Sequence, residues 1–324
     1  MNRILFKFFR KIHRVFFKKN IWTSEECVEL RDELANNKVY ELIGNALKNK
    51  EGLMVCKFGT IELRAFCCLD GVKNGFSLMD YYEGITEKQC ILPEEAMNAL
   101  CNNAGFFPNN LEQGIRFHDL MENDMKEIDV LGSYIKQESQ IKKYLPECLK
   151  INLNGYYAPF LWEKPWTRIL KNKKVLVIHP FVDSIKRQYE RREYLFNNPE
   201  VLPEFKKLIT IKAVQSIAGN GQYTGYKDWF EALRSMEKQM DAYDYDVALI
   251  GCGAYGFSLA AHAKRQGKVA VHLAGWTQML FGIYGNRWIE DQPEFKKFVN
   301  QYWIRPSVDE KPKGVEKVEN ACYW

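Results

Sequence analysis

The sequence lacks the signatures of several common protein classes. None of its nine cysteines belongs to a Cys-x-x-Cys pair, and their number is odd, which argues against a structural zinc site and against a disulfide framework. No Gly-x-Ser-x-Gly motif occurs, so a serine hydrolase of that type is not expected. Repeats and low-complexity segments are also missing. A reduced cytoplasmic protein that uses cysteine as a small apolar residue fits this pattern.

Acidic residues are absent from residues 1–20, which carry seven Lys or Arg side chains. Apolar residues recur in this segment at helical spacing, at Leu5, Phe8, Phe9, Ile12 and Phe16. Its uncharged runs are too short to span a bilayer or to form the centre of a signal peptide. We therefore predict a basic amphipathic helix on an anionic membrane surface, with docking on the protein's own core or on a partner subunit as the alternative. Nucleic-acid binding, which would rest on this segment alone, is not expected.

The rest of the chain, residues 21–324, has the pattern of a single composite α/β domain. Hydrophobic residues make up 46% and charged residues 27%, an ordinary composition for a folded protein. Strands are predicted at 52–59, 173–180, 208–214, 247–250 and 268–275, and helices at 23–34, 39–47, 60–69, 181–194 and 228–240. Residues 86–150 are predicted to be mostly helical, with helices at 111–120 and 125–131, and 219–225 to be a flexible loop able to act as a lid. This alternation predicts a Rossmann-like parallel sheet with flanking helices and a mostly helical insertion.

A glycine turn follows the predicted strand 247–250. Gly251, Gly253 and Gly256 stand in G-x-G-x-x-G register, directly before a helical pattern. Such a turn lets a phosphate approach the backbone at a helix N-terminus, although a tight turn for close packing is an alternative. A dinucleotide site is not favoured, because the next strand, 268–275, ends without the acid that would hold the ribose.

A second strand with a glycine at its end, 52–59, brings Glu62 and Arg64 to the carboxyl edge of the sheet, where open α/β sheets bind ligands. His179 closes the predicted strand 173–180 at the same edge, just before Pro180. It is a candidate base, and a structural histidine is the alternative.

Several motifs in this order resemble the GT-D-type glycosyltransferases of bacterial capsule, O-antigen, S-layer and adhesin glycosylation. They are Phe58-Gly-Thr-Ile-Glu62, Asp246-Val-Ala-Leu-Ile-Gly-Cys-Gly-Ala-Tyr-Gly256, Gly275-Trp-Thr-Gln-Met-Leu-Phe-Gly-Ile-Tyr-Gly-Asn-Arg-Trp288, Trp303-Ile-Arg-Pro306 and Glu319-Asn-Ala-Cys-Tyr-Trp324. The resemblance covers most of the chain from about residue 50 onward, and the run from Thr277 to Trp288 is its most specific part. It implies transfer of a sugar from a nucleotide-sugar donor.

The resemblance also bears on metal use and on Glu62. In that group an Asp-x-Glu triplet serves donor binding together with a divalent metal. Here the matching residues are Thr60, Ile61 and Glu62, so Thr60 replaces the acid. Glu62 alone would make a poor Mg or Mn site, but it could act as general base on the acceptor hydroxyl or hold a donor hydroxyl. The alternative is an exposed acid favoured at the start of a helix.

A leaving nucleoside diphosphate needs cations or N–H donors. We predict the N–H donors at Gly251, Gly253, Ala254, Tyr255 and Gly256, and the cations at Arg287 and Arg64. Gln278 suits sugar hydroxyls or a base edge, and Trp276 either stacks on base or sugar or packs in the core. With Glu62 as the catalytic residue, the predicted donor-binding residues are Gly59, Thr60, Arg64, Gly251, Gly253, Ala254, Tyr255, Gly256, Gly275, Thr277, Gln278 and Arg287.

The sequence thus predicts a glycosyltransferase at the inner face of the cell membrane, with a lipid-linked glycan as acceptor. Two other functions stay open. One is a non-catalytic nucleotide-binding or scaffold protein of a glycan-assembly complex, and the other is an NAD-linked enzyme acting on sugars.

Overall fold

The computed structural model describes residues 28–75, 93–318 and 321–324, together with the isolated positions 8, 11, 12 and 15. Most of the predicted basic helix 1–20, residues 23–27 of the next predicted helix, and segment 86–89 lie outside the described residues. The four isolated positions are helical, and Phe8 and Val15 among them are exposed. No helix in the described ranges is both long and apolar enough to cross a bilayer.

A single parallel sheet of seven strands forms the centre of the molecule. Its strands are β1 (Leu53–Cys56), β2 (Val130–Gly132), β3 (Leu149–Ile151), β4 (Lys174–His179), β5 (Lys207–Lys212), β6 (Val247–Ile250) and β7 (Val269–His272). They lie in the order β3-β2-β1-β7-β6-β4-β5. Apart from Lys174, His179 and His272 at their ends, the central strands β1, β7, β6 and β4 are apolar, as expected for strands covered on both faces. The predicted Rossmann-like α/β fold is confirmed.

Helices cover both faces of the sheet. They are α1 (Asp32–Asn49), α2 (Thr60–Asn74), α3 (Pro93–Ala104), α4 (Leu111–Met125), α5 (Val182–Glu190), α6 (Trp229–Asp241), α7 (Tyr255–Arg265) and α8 (Trp276–Leu280). Side chains of a strand alternate between the faces. In β1, for example, Met54 and Cys56 enter the core that contains residues of α2 to α4, whereas Leu53 and Val55 enter the core that contains residues of α1 and α8.

Helix starts follow the local sequence. Asp228 caps α6 by accepting a hydrogen bond from the backbone N–H of Glu231 at 2.7 Å, and Asn110 caps α4 in the same way. Both residue types satisfy N–H groups that lack a partner within the helix.

The structure corrects several predicted boundaries. Residues 130 and 131, predicted as the end of the helix 125–131, form β2 together with residue 132, and Leu149–Ile151 adds the unpredicted edge strand β3. Leu34 lies inside α1 rather than ending an earlier helix, and the helix predicted over 181–194 ends at Glu190. The predicted lid contains a 3₁₀ turn at Asn220–Tyr223, packed so closely that a Cβ on Gly221 would lie 2.5 Å from the Phe107 ring.

The order of the strands creates a crevice. From β1 the chain moves outward to β3, and it later returns through β4 and β6 to β7, which pairs with β1. The helix that follows β1, α2, packs in the core on one face of the sheet, and the helix that follows β7, α8, packs in the core on the other face. Such a reversal is where open α/β sheets bind ligands.

Candidate functional site

A cleft of about 200 Å³ opens at the carboxyl edge of the sheet. Its walls come from the segments that follow β1, β2, β4, β5, β6 and β7, from the end of α3 and from residues near the end of the chain. Because the strands are parallel, all their carboxyl ends meet at this edge. The cleft thus combines residues that are more than 200 positions apart, such as Gly59 and Gln278.

Most of the predicted site residues line this cleft. They are Gly59, Thr60, Glu62, His179, Gly251, Gly253, Tyr255, Gly275, Gln278 and Arg287. Five others are not among its lining residues, namely Arg64, Ala254, Gly256, Trp276 and Thr277. Proximity alone does not assign a ligand, so the binding roles stay predictions.

Each glycine of the turn after β6 stands where another part of the chain comes close. A Cβ on Gly251 would lie 2.2 Å from the carbonyl oxygen of Ala274, and a Cβ on Gly256 would lie 2.5 Å from Nε2 of His272. Gly253 has a φ of +57°, which side chains rarely tolerate. Close packing thus accounts for the glycines at all three positions, and the predicted phosphate-binding role of the turn stays a prediction.

Most of the backbone N–H groups predicted to bind phosphate already donate hydrogen bonds within the protein. The N–H groups of Gly251, Ala254, Tyr255 and Gly256 already donate to backbone carbonyls. Among the described residues of the turn, those of Cys252 and Gly253 have no backbone acceptor. These two groups lie beside the N-terminus of α7, whose dipole favours an anion.

Glu62 lies in the first turn of α2 and folds back over the start of that helix. A Cβ on Gly59, the N-cap residue, would lie 1.8 Å from Oε2 of Glu62. Gly59 itself has an ordinary φ of −74°, so its missing side chain provides room for the carboxylate rather than backbone freedom. Glu62 is thus an acid favoured at a helix start and also a residue of the cleft wall.

Three side chains beside Glu62 form what we call the Lys57–Tyr134–Thr60 cluster. Nζ of Lys57 lies 3.3 Å from the Tyr134 hydroxyl oxygen and 5.0 Å from the centre of its ring. The Tyr134 hydroxyl donates to the carbonyl of Phe58 at 2.9 Å. Because its proton is used there, the Thr60 hydroxyl, 3.2 Å away, donates to Tyr134.

Two buried histidines line the cleft, and both are neutral. Burial lowers the pKa of His179 to about 3 and that of His272 to about 3, and nearby Lys57 adds to the effect at His272. Nδ1 of His179 accepts a hydrogen bond from the backbone N–H of Phe181 at 3.0 Å. The neutral ring then carries its proton on Nε2. In this geometry the protonated Nε2 makes His179 a hydrogen-bond donor, and its role as a base stays a prediction.

Arg287 is held by residues near the end of the chain. Its Nη1 donates to the Tyr323 hydroxyl at 2.8 Å, and its guanidinium lies 4.4 Å from the centre of that ring. Nε2 of Gln278 donates to the backbone carbonyl of Tyr323 at 3.1 Å. The run from Thr277 to Trp288 thus fixes Tyr323 and Trp324 against the cleft, which both residues line.

Trp276, predicted either to stack on a ligand or to pack in the core, packs in the core. Its ring lies 4.0 Å from that of Tyr157, edge to face, and 4.6 Å from that of Phe295. Trp276 is 6% exposed.

Sequence reasoning missed some cleft residues and misplaced others. Arg64, a predicted cation, is half-buried on α2 outside the cleft wall, and Thr277 is fully buried beside Gly251. Lys57 lines the cleft instead, and its position directly before the Phe58–Glu62 motif was a usable signal. Tyr134 had no such signal, because β2, the strand that ends two residues before it, was not predicted.

The charges of the cleft suit an anion better than a metal ion. The described residues that line it include one side-chain carboxylate, Glu62, and two cations, Lys57 and Arg287. Mg²⁺ and Mn²⁺ prefer several oxygen ligands with carboxylates among them, so the donor set of these described residues does not fit such an ion. Within the described ranges, the one group of three His, Cys, Asp or Glu side chains close enough to share an ion lies on α4, away from the cleft wall, at His118, Asp119 and Glu122.

Comparisons with known proteins identify no relative of this chain. No protein-family model matches the chain, and neither the curated proteins nor the solved structures contain a significant match.

Proposed function

We propose that this protein is a glycosyltransferase that uses a nucleotide-sugar donor. The observation that carries the proposal is the meeting, in one cleft, of the glycine turn, Glu62 and the cations Lys57 and Arg287. A nucleoside diphosphate presents negative charge that such cations and the α7 N-terminus would stabilise. The resemblance of the sequence motifs to GT-D-type enzymes supports the same conclusion.

In the proposed reaction, the oxygen of an acceptor hydroxyl forms a bond to the anomeric carbon of the donor sugar. The bond between that carbon and the β-phosphate oxygen breaks, and its electron pair leaves with the nucleoside diphosphate. The hydroxyl proton passes to the carboxylate of Glu62. His179, whose Nε2 carries a proton, would contribute a hydrogen bond to the bound donor.

The proposed acceptor is a lipid-linked glycan at the inner face of the membrane. Support comes from residues 1–20, whose seven cations and phenylalanine-rich apolar stripe suit an anionic membrane surface. Deleting these residues should abolish co-sedimentation with anionic liposomes, and unchanged co-sedimentation would contradict the membrane proposal.

Binding of UDP or GDP to the full-length protein tests the proposal as a whole. Isothermal titration should show saturable binding of at least one of these nucleotides and no binding of NAD, because β7 ends in His272 without an acid for the ribose. If neither nucleotide binds, with or without Mn²⁺, the proposal fails. Binding without turnover of any nucleotide sugar would favour the scaffold function instead.

Replacing Gly59 with alanine should impair transfer without unfolding the protein. The added Cβ would collide with the Glu62 carboxylate, which is the end of a flexible side chain and can move away. We expect the rate to fall by about tenfold or more, as small displacements of a catalytic group commonly cause. Steady-state rates together with thermal unfolding would measure this, and an unaltered rate would contradict the placement of Glu62.

A further inference from the structure

We infer that the Lys57–Tyr134–Thr60 cluster neutralises the donor diphosphate in place of a divalent metal, so that nucleotide binding and transfer require no metal ion. This inference rests on the proposed function. It assigns a role to Lys57, which the sequence motifs did not single out. It also predicts that the activity of the site does not depend on Mg²⁺ or Mn²⁺.

The location of Lys57 suits this role. It directly follows β1 and lines the cleft on the same wall as Thr60 and Glu62. Its backbone is fixed, because its carbonyl accepts a hydrogen bond of 3.2 Å from Nδ1 of His272, at the end of the neighbouring strand β7. The cation is thus anchored where the two central strands end.

The ammonium group of Lys57 has spare capacity for an anion. Within the part of the chain that the structure describes, it contacts only uncharged groups: the Tyr134 hydroxyl at 3.3 Å, the Tyr134 ring and the carbonyl of Phe58 at 3.5 Å. Among the described residues it forms no ion pair. By contrast, Lys264 and Lys174 are each paired with a carboxylate. A lysine that borders a cleft without such a partner can bind a phosphate oxygen with a charge-assisted hydrogen bond.

Thr60 explains why a metal is not needed at this position. In the resembling enzymes an acid occupies the place of Thr60, whereas here the hydroxyl of Thr60 donates to Tyr134. An acid there would approach the same hydroxyl and pair with Lys57. Replacing the acid with threonine leaves Lys57 free of that partner, and Tyr134 orients its ammonium group. The site thus has one negative charge fewer at position 60, and the positive charge of Lys57 is available to the diphosphate. A diphosphate site without a metal ion requires such a cation.

The test measures binding of UDP, GDP and the matching nucleosides, uridine and guanosine, to the full-length protein in EDTA and in Mn²⁺. We expect equal nucleotide affinity in both buffers. Lys57→Met should weaken binding of the diphosphate by about tenfold or more, since it removes a charge-assisted hydrogen bond, and should leave binding of the nucleoside unchanged. Tyr134→Phe should weaken diphosphate binding less, again without affecting the nucleoside. A purely structural role would weaken both ligands together.

Lys268→Met is the matched control. Lys268 also lies over a tyrosine ring, with its Nζ 5.4 Å from the centre of Tyr245, but it precedes β7 at the opposite edge of the sheet and does not line the cleft. Its replacement removes the same charge and should leave UDP and GDP binding unchanged.

The outcomes separate this inference from the proposed function. Absence of UDP and GDP binding in both buffers would overturn the proposed function, and the inference with it. Binding that requires Mn²⁺ would leave the proposed function standing and overturn the inference. Equal affinities of the Lys57→Met and Lys268→Met variants for the diphosphate would also overturn it.

Discussion

Replacing Glu62 with glutamine is expected to lower the rate of sugar transfer by about 10²–10⁴-fold, the usual contribution of a general base. Glutamine has the same shape and keeps an oxygen that can accept a hydrogen bond, but it cannot take the proton of the acceptor hydroxyl. Release of UDP or GDP from the nucleotide sugar that the wild-type enzyme consumes measures the rate. Nucleotide affinity should change little, because the proposed phosphate contacts are made by the cations Lys57 and Arg287 and not by Glu62.

A matched control for this variant is Glu112→Gln. Glu112 also lies in the first turn of a helix, α4, but it is exposed and does not line the cleft. If the acid at position 62 served only the helix dipole, both variants would show similar small changes in stability and none in rate. A fully active Glu62→Gln enzyme would remove Glu62 from the mechanism.

The second large effect concerns stability rather than transfer. Arg265, at the end of α7, donates to the carboxylate of Asp124 on α4 and to Glu127 at 3.1 Å. The side chain of Asp124 is fully buried, and burial raises its pKa to about 6 despite the favourable charge of Arg265. Arg265→Met leaves this carboxylate without a cation and should reduce the free energy of unfolding by about 3–5 kcal/mol at pH 7.

The loss should shrink as the pH falls. A carboxyl group whose pKa is higher in the folded than in the unfolded protein favours folding more at low pH, because the folded state binds the proton more tightly. Removing Arg265 raises the pKa of Asp124 further, so the variant gains more stability than the wild type between pH 7 and pH 5. Urea denaturation at the two pH values would measure the difference.

The adjacent lysine provides the comparison. Lys264 pairs with Asp129 at 2.8 Å, but the side chain of Asp129 is one-third exposed. Lys264→Met should therefore cost only about 1 kcal/mol or less, with little dependence on pH. Equal losses for the two variants would show that burial of Asp124 does not set the cost.

Local sequence patterns predicted the strands that carry most of the site. The apolar runs of β1, β4, β6 and β7 are continuous because both faces of these strands are covered, and such runs are readable from sequence. The three-residue strands β2 and β3 were not, because their length is too short to show a period. Because β2 was not predicted, the segment that follows it could not be placed at the carboxyl edge of the sheet. Tyr134 lies in that segment and contacts the cleft residues Lys57 and Thr60.

Contacts between distant segments were the other limit. The motif around Glu62 gave its position at a strand end, but nothing local indicated that Gly59 makes room for its carboxylate. Likewise, the G-x-G-x-x-G pattern correctly predicted a turn. The carbonyls of Ile178 and Ala104, which accept hydrogen bonds from Gly251 and Ala254, lie in distant segments that the local pattern could not indicate. Arg64 and Arg287 look alike as isolated cations, and only the packing of α2 directs the first away from the cleft.

The position of β7 also bears on how the protein is made. This strand pairs with β1 on one side and β6 on the other, so it joins the two halves of the sheet although it is the last strand in the chain. Until residues 269–272 have been synthesised, β1 and β6 each present an unpaired apolar edge of the kind that promotes association between chains. The cleft, which needs the loops of both halves, is therefore among the last parts of the molecule to form.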